Sequence, residues 1–224
     1  MFADDLKLYT EINTPLSESN FQSHLDRIFI WAESWQLSIS YSKCSIVNLG
    51  RQPSPSSFTF QNTPISSSNL VKDLGVLVDP DLKFASHIHD FVSRAKLRSA
   101  LIFRSFLTNN IDNLKRAFVT YVRPLLEYAS PVWSPSLIHL INEIESVQRS
   151  FTKRLPGFRS LSYSERLCKL KLPTLEHRRL IADLVICYNM VHGFSCMNID
   201  SFFTLSKILH YVAMTSAFKS LSRN

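Results

Sequence analysis

The apolar residues of this 224-residue chain keep one helical spacing after Val78 but not before it, and this difference limits the folds that the chain can adopt. Before Val78, short runs alternate between apolar and polar side chains, as in Phe58-Thr59-Phe60, which is typical of β-strands. After Val78 the apolar residues recur every three or four positions, as they do on one face of an α-helix. The pattern predicts an α+β chain in which a small mixed part with one helix precedes a helical array.

Five apolar stripes predict where the helices lie. The first helix is expected after a cap at Ser17 or Ser19, with a stripe from Phe21 to Trp35. The other stripes run from Ile88 to Phe106, from Ile111 through Tyr121 to Leu125, from Leu137 to Leu155 and from His177 to Val191. Pro124 predicts a kink or a break. Strands are expected at residues 6–12, 37–41, 58–60 and 71–78, and Asp79-Pro80-Asp81 predicts a turn.

The composition argues against several classes of site and of protein. Only four glycines are present, which argues against a Gly-rich phosphate-binding loop. No apolar run reaches the ~18 residues that a membrane span requires, and the acidic start of the chain is unlike a signal peptide. The four cysteines form no Cys-x-x-Cys pair and fit neither a disulfide framework nor a zinc finger. We therefore expect an intracellular protein, nuclear or cytoplasmic and not secreted. We expect it neither to associate with a membrane nor to form a disulfide with a partner.

The net charge of +7 is unevenly distributed along the chain. Residues 1–86 carry six Lys and Arg against nine Asp and Glu, a net of −3. Residues 87–180 carry sixteen basic against seven acidic side chains, a net of +9. Charge alone is equally compatible with a polyanion partner for the basic part and with an ordinary solvated helical surface.

Two adjacent carboxylates, Asp4 and Asp5, lie between apolar residues at the start of the chain. Adjacent carboxylates on a tight turn provide oxygen ligands for hard divalent cations. Two such cations about 4 Å apart can stabilise the attacking and leaving oxygens of a phosphoryl transfer. An Asp-Asp pair is also common in a solvated hairpin turn, so the pair by itself leaves both interpretations open.

Further motifs follow this pair in a defined order. They are Lys43-Cys44, Asp73-Leu74-Gly75-Val76, the run from Tyr121 to Ser130 followed by Val132-Trp133, and Leu175-Glu176-His177-Arg178-Arg179. With Phe2-Ala3-Asp4-Asp5-Leu6 as the catalytic palm motif, residues 1 to about 205 resemble the C-terminal part of a reverse transcriptase from a jockey-like, LINE-type non-LTR retrotransposon. The resemblance lies in the order and spacing of all these motifs rather than in any one of them.

The resemblance implies a division of the chain into four parts. Residues 1–86 correspond to the end of a palm domain with a primer-grip-like hairpin, and residues 87–130 correspond to thumb-like helices. Residues 131–205 correspond to a helical C-terminal extension. Residues 206–224 diverge from the basic stretch with which the family usually continues, and a frame shift in a decaying element would explain this tail.

The resemblance also implies roles for individual residues. Asp4 and Asp5 stand where the palm carboxylates of the family hold Mg²⁺, and Lys43 stands near the phosphates of the incoming deoxynucleotide. Leu74 and Gly75 stand where the primer strand is gripped. Candidate phosphate contacts to the RNA template and the DNA primer are Arg94, Lys96, Arg98, Arg104, Lys115, Arg116, Arg149 and Lys153. From the residues alone, Lys43 is equally compatible with a solvated lysine at a strand end, and Gly75 with a β-bulge.

Polymerase chemistry in the family also needs a third palm carboxylate from an earlier strand, and fingers that close on the nucleotide. Neither is found among these 224 residues. We therefore expect a fragment of an RNA-directed DNA polymerase that is inactive in isolation, because two carboxylates alone do not preorganise two metal ions. The alternatives are a helical module that binds nucleic acids without sequence preference, and a non-functional translated pseudogene fragment.

Overall fold

The computed structural model describes residues 6–50 and 57–204. Within them, the strands are β1 (Ser45–Ile46), β2 (Thr59–Phe60), β3 (Thr63–Pro64), β4 (Ser66–Ser67), β5 (Val71–Asp73) and β6 (Val76–Val78). The α-helices are α1 (Pro15–Ser34), α2 (Ala85–Ser105), α3 (Ile111–Ala117), α4 (Arg123–Glu127), α5 (Ser130–Trp133), α6 (Ile138–Lys153), α7 (Tyr163–Leu170) and α8 (Leu175–Val191). All strands of the described part precede α2, which confirms the predicted α+β class.

Helix α1 begins earlier than the sequence analysis predicts. The Thr14 hydroxyl accepts a hydrogen bond from the N–H of Ser17 at 3.2 Å, and Ser17 Oγ accepts one from the N–H of Thr14 at 3.1 Å. This reciprocal pair is a capping box, and Pro15 at the first helical position has no N–H that needs a partner. The predicted cap at Ser17 or Ser19 is therefore wrong, because Thr14-Pro15 is the stronger start signal.

A small core lies between α1 and the β2–β3 hairpin. Its buried members are Leu25, Phe29, Phe58 and Phe60. Gln22 fixes the register of α1 against β2, since its Nε2 donates to the carbonyl of Thr59 at 2.8 Å and its Oε1 accepts from the Thr59 N–H at 3.0 Å. The amide side chain thus takes the place of a neighbouring strand at this edge of β2.

Two of the predicted strands are absent from the described part of the chain. Residues 6–12 form no strand, and residues 37–41 lead into a single turn of 3₁₀-helix at Tyr41–Lys43. A strand needs a neighbour that satisfies its backbone hydrogen bonds, and an alternating sequence does not supply one. The pairing that does form is short, with β1 parallel to β4 and β2 antiparallel to β3.

The larger core lies in the helical part, with α2 and α6 at its centre. These helices run parallel: near their starts His89 Nδ1 lies 2.9 Å from Glu143 Oε1, and near their ends the rings of Phe103 and Phe151 are 4.8 Å apart. Their predicted stripes are buried as expected, with Ile88, Phe91, Val92, Ala95 and Ile102 on α2 and Leu140, Ile144, Val147 and Phe151 on α6. Spacing of this regularity determines which side chains share a face, and here the apolar faces of α2 and α6 pack against each other.

Pro124 interrupts the helix that begins at Ile111, as the sequence predicts. Residues Phe118–Val122 form a π-helical turn, in which the N–H of Arg123 donates to the carbonyl of Phe118 instead of the usual fourth residue back. Proline has no N–H for the carbonyl of Thr120, and its ring crowds that carbonyl, so the turn before it widens. The chain then leaves α4 at Tyr128 and reverses at Ala129, whose φ is 53°.

Helix α8 forms as predicted, but most of its apolar stripe is not covered by other described residues. Leu175 is fully buried at its start. The side chains further along are exposed, namely Leu180, Ile181, Leu184, Tyr188 and Val191. The helical period identifies a common face and carries no information about what covers that face.

Among the described residues, no helix is long and apolar enough to cross a membrane. The four cysteines all lie in this part of the chain, and each carries a free thiol.

Candidate functional site

Residues 71–78 form a β-hairpin rather than the single strand that the alternation predicts. Strand β5 pairs antiparallel with β6, and Asp73 lies opposite Val76. The two residues between the strands, Leu74 and Gly75, have φ values of 43° and 88°. Two consecutive residues with positive φ are what a two-residue type I′ turn requires. Leucine is an uncommon first residue of such a turn, since its Cβ disfavours the left-handed conformation by about 1–2 kcal/mol.

Tyr128, at the C-terminal end of α4, holds this turn against the helical part. Its Oη donates a hydrogen bond to the carbonyl oxygen of Leu74 at 2.8 Å. Its ring lies beside Gly75, where an added Cβ would stand 3.4 Å from Cε1 of the tyrosine. The buried Trp133 donates from Nε1 to the carbonyl of Tyr128 at 2.7 Å. One side chain therefore contacts both residues of the turn, and the backbone of the same residue is hydrogen-bonded to a buried side chain of the larger core.

His87 attaches the second strand of the hairpin to α2. Its Nδ1 accepts a hydrogen bond from the N–H of Leu77 at 3.3 Å, so this nitrogen carries no proton. The ring is 3% exposed and packs edge-on against Phe91. Burial, and after it the positive charge of Arg94, lower the pKa of His87, which keeps the imidazole neutral.

Lys7 links the hairpin to the segment that directly follows Asp4 and Asp5. Its ammonium group forms an ion pair with Asp73, the last residue of β5. Both side chains are partly exposed, so the pair contributes at most about 1 kcal/mol to stability. Its significance is positional, because the residue two places after Asp5 lies within reach of the strand that enters the turn.

The predicted metal ligands Asp4 and Asp5 lie outside the described residues. Within residues 6–50 and 57–204, no three His, Cys, Asp or Glu side chains are grouped so that they could share a metal ion. Lys43, the predicted phosphate-binding lysine, is exposed at the end of the 3₁₀ turn and forms no ion pair within that part of the chain. The roles of these three residues stay predictions.

The basic residues of α2 are exposed but do not all share one face. Arg94 and Arg98 are one helical turn apart on the same flank, and Arg94 Nη2 lies 2.7 Å from the carboxylate of Asp90. Arg104 lies about 15 Å from Arg94 along the helix axis, since it is ten residues further on and each residue advances the helix by about 1.5 Å. Lys96 lies on the opposite flank from Arg98, as their two-residue spacing requires. Among the described residues, Lys96, Arg98 and Arg104 have no acidic partner within ion-pair distance.

The remaining predicted phosphate contacts are spread over α3 and α6. Arg116 is exposed and Lys115 is half-buried on α3, and Lys153 is exposed at the end of α6. The guanidinium of Arg149 lies over the ring of Tyr163, 5.0 Å from its centre. Arg154 lies over Phe103 in the same manner, at 4.2 Å. The eight predicted contacts thus form no single patch, and α2 presents the largest group of them.

Aromatic side chains at this site differ in whether a base could stack on them. Trp133 and Phe151 are buried in the larger core, so neither ring is accessible. Tyr121, which the sequence analysis places in an apolar stripe, is exposed. That placement is wrong because the π-helical turn shifts the register of the side chains that follow Phe118.

A buried polar network joins α6, α7 and α8, and it was not among the features predicted from the sequence. Glu145 accepts hydrogen bonds from Tyr163 Oη and, at 3.0 Å, from the N–H of Leu175. Gln148 Nε2 lies 3.1 Å from Tyr163 Oη and donates to the carbonyl of Pro173 at 3.0 Å. Burial, and after it the hydrogen bond to Glu145, raise the pKa of Tyr163. A polar residue inside an apolar stripe, as Glu145 and Gln148 are, is the signal that would have predicted it.

A second link joins α4 to α8 through charged side chains. Arg178 donates to Glu127 from both Nε and Nη2, the latter at 2.9 Å. The hydrogen bond with Glu127 raises the pKa of Arg178. Such a two-point contact fixes the geometry of both side chains, and it holds the start of α8 beside the corner that contains Tyr128.

The chain is similar in sequence to proteins of mobile elements. It is 27% identical over 183 residues, or 78% of its length, to the RNA-directed DNA polymerase from mobile element jockey of Drosophila funebris. It is 26% identical over 164 residues, or 70% of its length, to the probable RNA-directed DNA polymerase from transposon X-element of Drosophila melanogaster. An uncharacterized protein of Caenorhabditis elegans is 28% identical over 128 residues, which are 56% of this chain.

The matched regions span 20% and 18% of the two polymerases and 65% of the Caenorhabditis elegans protein. No protein-family model matches the chain, and no solved structure matches it. The two polymerase matches support a relation between this chain and the RNA-directed DNA polymerases of non-LTR retrotransposons.

Proposed function

We propose that this chain is a part of an RNA-directed DNA polymerase from a non-LTR retrotransposon. Residues 1–86 form the end of its palm, residues 87–130 its thumb-like helices and residues 131–205 a helical extension. The observation that carries the proposal is the match to the jockey and X-element polymerases over 78% and 70% of the chain. The hairpin that presents Leu74 and Gly75 supports it, since a two-residue turn brings backbone close to whatever lies against its tip.

In this proposal the hairpin contacts the primer strand, and the exposed basic residues of α2 contact phosphates of the primer and the template. Asp4 and Asp5 hold Mg²⁺, which when bound neutralises charge on the reacting phosphates. Lys43 binds the phosphates of the incoming deoxynucleotide. The ion pair between Lys7 and Asp73 keeps the segment after the two aspartates beside the hairpin.

We further propose that these 224 residues do not copy RNA when tested alone, because the site they contribute lacks a third carboxylate and the fingers. The test is deoxynucleotide incorporation on a primed RNA template by the purified chain. The matched variant replaces both aspartates, Asp4→Asn with Asp5→Asn. The expected result is no incorporation by either protein. Incorporation by the parent chain that the double variant loses would contradict this proposal.

A second candidate function is sequence-independent nucleic-acid binding by the helical part. The exposed side chains of Lys96, Arg98 and Arg104, which have no acidic partner in the described chain, favour it. The two functions differ in the ligand they prefer. A polymerase part binds a primed template more tightly than a blunt duplex of equal length, whereas a simple binding module does not discriminate, so competition between these two ligands separates them.

A further inference from the structure

Among residues 6–50 and 57–204, a side chain contacts the peptide group between Leu74 and Gly75 on its carbonyl side. Its carbonyl oxygen accepts the hydrogen bond from Tyr128 Oη at 2.8 Å. A peptide group is planar and trans, so its N–H points in the direction opposite to its carbonyl. The N–H of Gly75 therefore points away from Tyr128.

We propose that Tyr128 is a positioning residue, which orients the N–H of Gly75 so that it donates to a phosphate of the primer strand. The inference rests on the proposed role of the hairpin in primer binding. Backbone N–H groups are regular partners of nucleic-acid phosphates, and they fix position without reading sequence. A carbonyl that accepts a hydrogen bond also polarises its peptide group, which makes the opposite N–H a better donor.

The turn itself shows why its peptide needs an external support. Leu74 has a φ of 43°, in the left-handed region, which is unfavourable for a residue with a Cβ. Its side chain is 46% exposed, so burial does not offset this cost fully. A strained two-residue turn with an exposed side chain keeps one peptide orientation only when another group fixes it.

Gly75 suits close approach from the side opposite Tyr128. Its φ of 88° favours glycine, and an added Cβ would stand in van der Waals contact with the tyrosine ring, 3.4 Å from Cε1. A Cβ at this position would point toward the tyrosine, so the opposite side, toward which the N–H points, is free of any side chain of residue 75 itself. The two neighbours of this glycine thus have separate places, the tyrosine on one side and the phosphate on the other.

The backbone of Tyr128, from which the side chain reaches the turn, is hydrogen-bonded at both its N–H and its carbonyl. Its N–H donates to the carbonyl of Pro124 at 3.0 Å, and its carbonyl accepts from Trp133 Nε1 at 2.7 Å. The ring of Trp133 packs against Phe91 with centres 4.7 Å apart. The orientation of one turn peptide is thereby set by the larger core.

The test compares Tyr128→Phe with the parent chain, since this change removes Oη and leaves the ring beside Gly75. The probe is a DNA primer annealed to an RNA template. Loss of one correctly oriented donor should weaken binding about fivefold, which corresponds to the net free energy of one hydrogen bond, about 1 kcal/mol. The slope of log affinity against log salt should not change, because no cationic contact is lost. Tyr121→Phe is the matched control, since Tyr121 is exposed on the π-helical turn before α4 and its hydroxyl forms no hydrogen bond within the described residues. The affinity of Tyr121→Phe should equal that of the parent.

The ¹⁵N–¹H signal of Gly75 gives a readout that a purely structural role of Tyr128 would not change. The duplex should shift this signal in the parent chain, and the shift should be much smaller in Tyr128→Phe. Binding of the duplex without a shift at Gly75, or equal affinities of Tyr128→Phe and Tyr121→Phe, would overturn the inference and leave the proposed function standing. Absence of duplex binding by the parent chain at low salt would remove both.

Discussion

Tyr128 Oη donates a hydrogen bond to the carbonyl oxygen of Leu74 at 2.8 Å, across 54 residues of sequence. The contact joins the tip of a β-hairpin to the corner between α4 and α5. Trp133 supports it from the core, and His87 attaches the other strand of the same hairpin to α2. The hairpin is therefore fixed at its tip and along one strand by the helical part of the chain, which is the arrangement a backbone needs if it is to present a peptide in a defined orientation.

The first prediction concerns the pH dependence of stability. Burial lowers the pKa of His87 in the folded chain, and Arg94 and Lys72 lower it further while Asp90 opposes them. The unfolded chain, with a histidine pKa of about 6.5, binds the proton first as pH falls. The free energy of unfolding should therefore stay constant above about pH 7.5, as far as His87 determines it, and should decrease as pH falls through about 6.5.

Urea unfolding at a series of pH values measures this dependence. The variant His87→Gln should flatten the curve between pH 7.5 and 5.5. The exposed His177 provides the control, since His177→Gln should keep the slope of the parent chain. A parent slope that survives His87→Gln would show that other groups produce it.

The second prediction concerns the buried carboxylate of Glu145. Both of its oxygens accept hydrogen bonds, one from Tyr163 and one from the N–H of Leu175. Glutamine has one acceptor and places an NH₂ group against the other donor, so Glu145→Gln should lower the free energy of unfolding by about 2 kcal/mol. The half-buried Glu143 is paired with the exposed His89, and Glu143→Gln should cost within about 0.5 kcal/mol. Equal losses for the two variants in urea unfolding would contradict the assigned network.

The third prediction contrasts two leucines on α8. Leu175 is 0% exposed and Leu184 is 59% exposed. Leu175→Ala should cost about 2–5 kcal/mol, because it leaves a cavity beside the start of the helix. Leu184→Ala should change the free energy of unfolding by less than about 0.5 kcal/mol. A large loss at Leu184 would mean that the outer face of α8 is covered in solution.

The helical half of the fold follows largely from apolar spacing, but the spacing does not say what covers an apolar face. The stripe of α6 is buried as predicted, whereas the equally regular stripe of α8 is mostly exposed. The same limit explains the strand predicted at residues 37–41, because alternation identifies two faces but supplies no partner strand. A local pattern shows which side chains of a segment share an apolar face. Whether that face is buried depends on tertiary contacts that the pattern does not contain.

The candidate site was less accessible to sequence reasoning. The Leu74–Gly75 turn lacks the Asn-Gly or Asp-Gly signal of a type I′ hairpin, so residues 71–78 resembled one strand. Tyr128 was part of a recognised motif, but its contact with Leu74 is a tertiary contact across 54 residues, which no local pattern predicts. Asp4 and Asp5 are the reverse case, since their sequence suggests a role and they lie outside the described residues.

We expect this chain to bind a primed template through its hairpin and the exposed basic residues of α2. The most direct measurement is the affinity of the chain for an RNA–DNA primer-template between about 50 and 200 mM salt, a range in which phosphate contacts lose affinity steeply. Log affinity should fall linearly with log salt, and Arg98→Gln should reduce the slope by about one, as one lost phosphate contact does. Lys169→Gln, which removes an equal charge from α7, should leave the slope unchanged. No binding at the lowest salt, or a slope near zero, would contradict the claim.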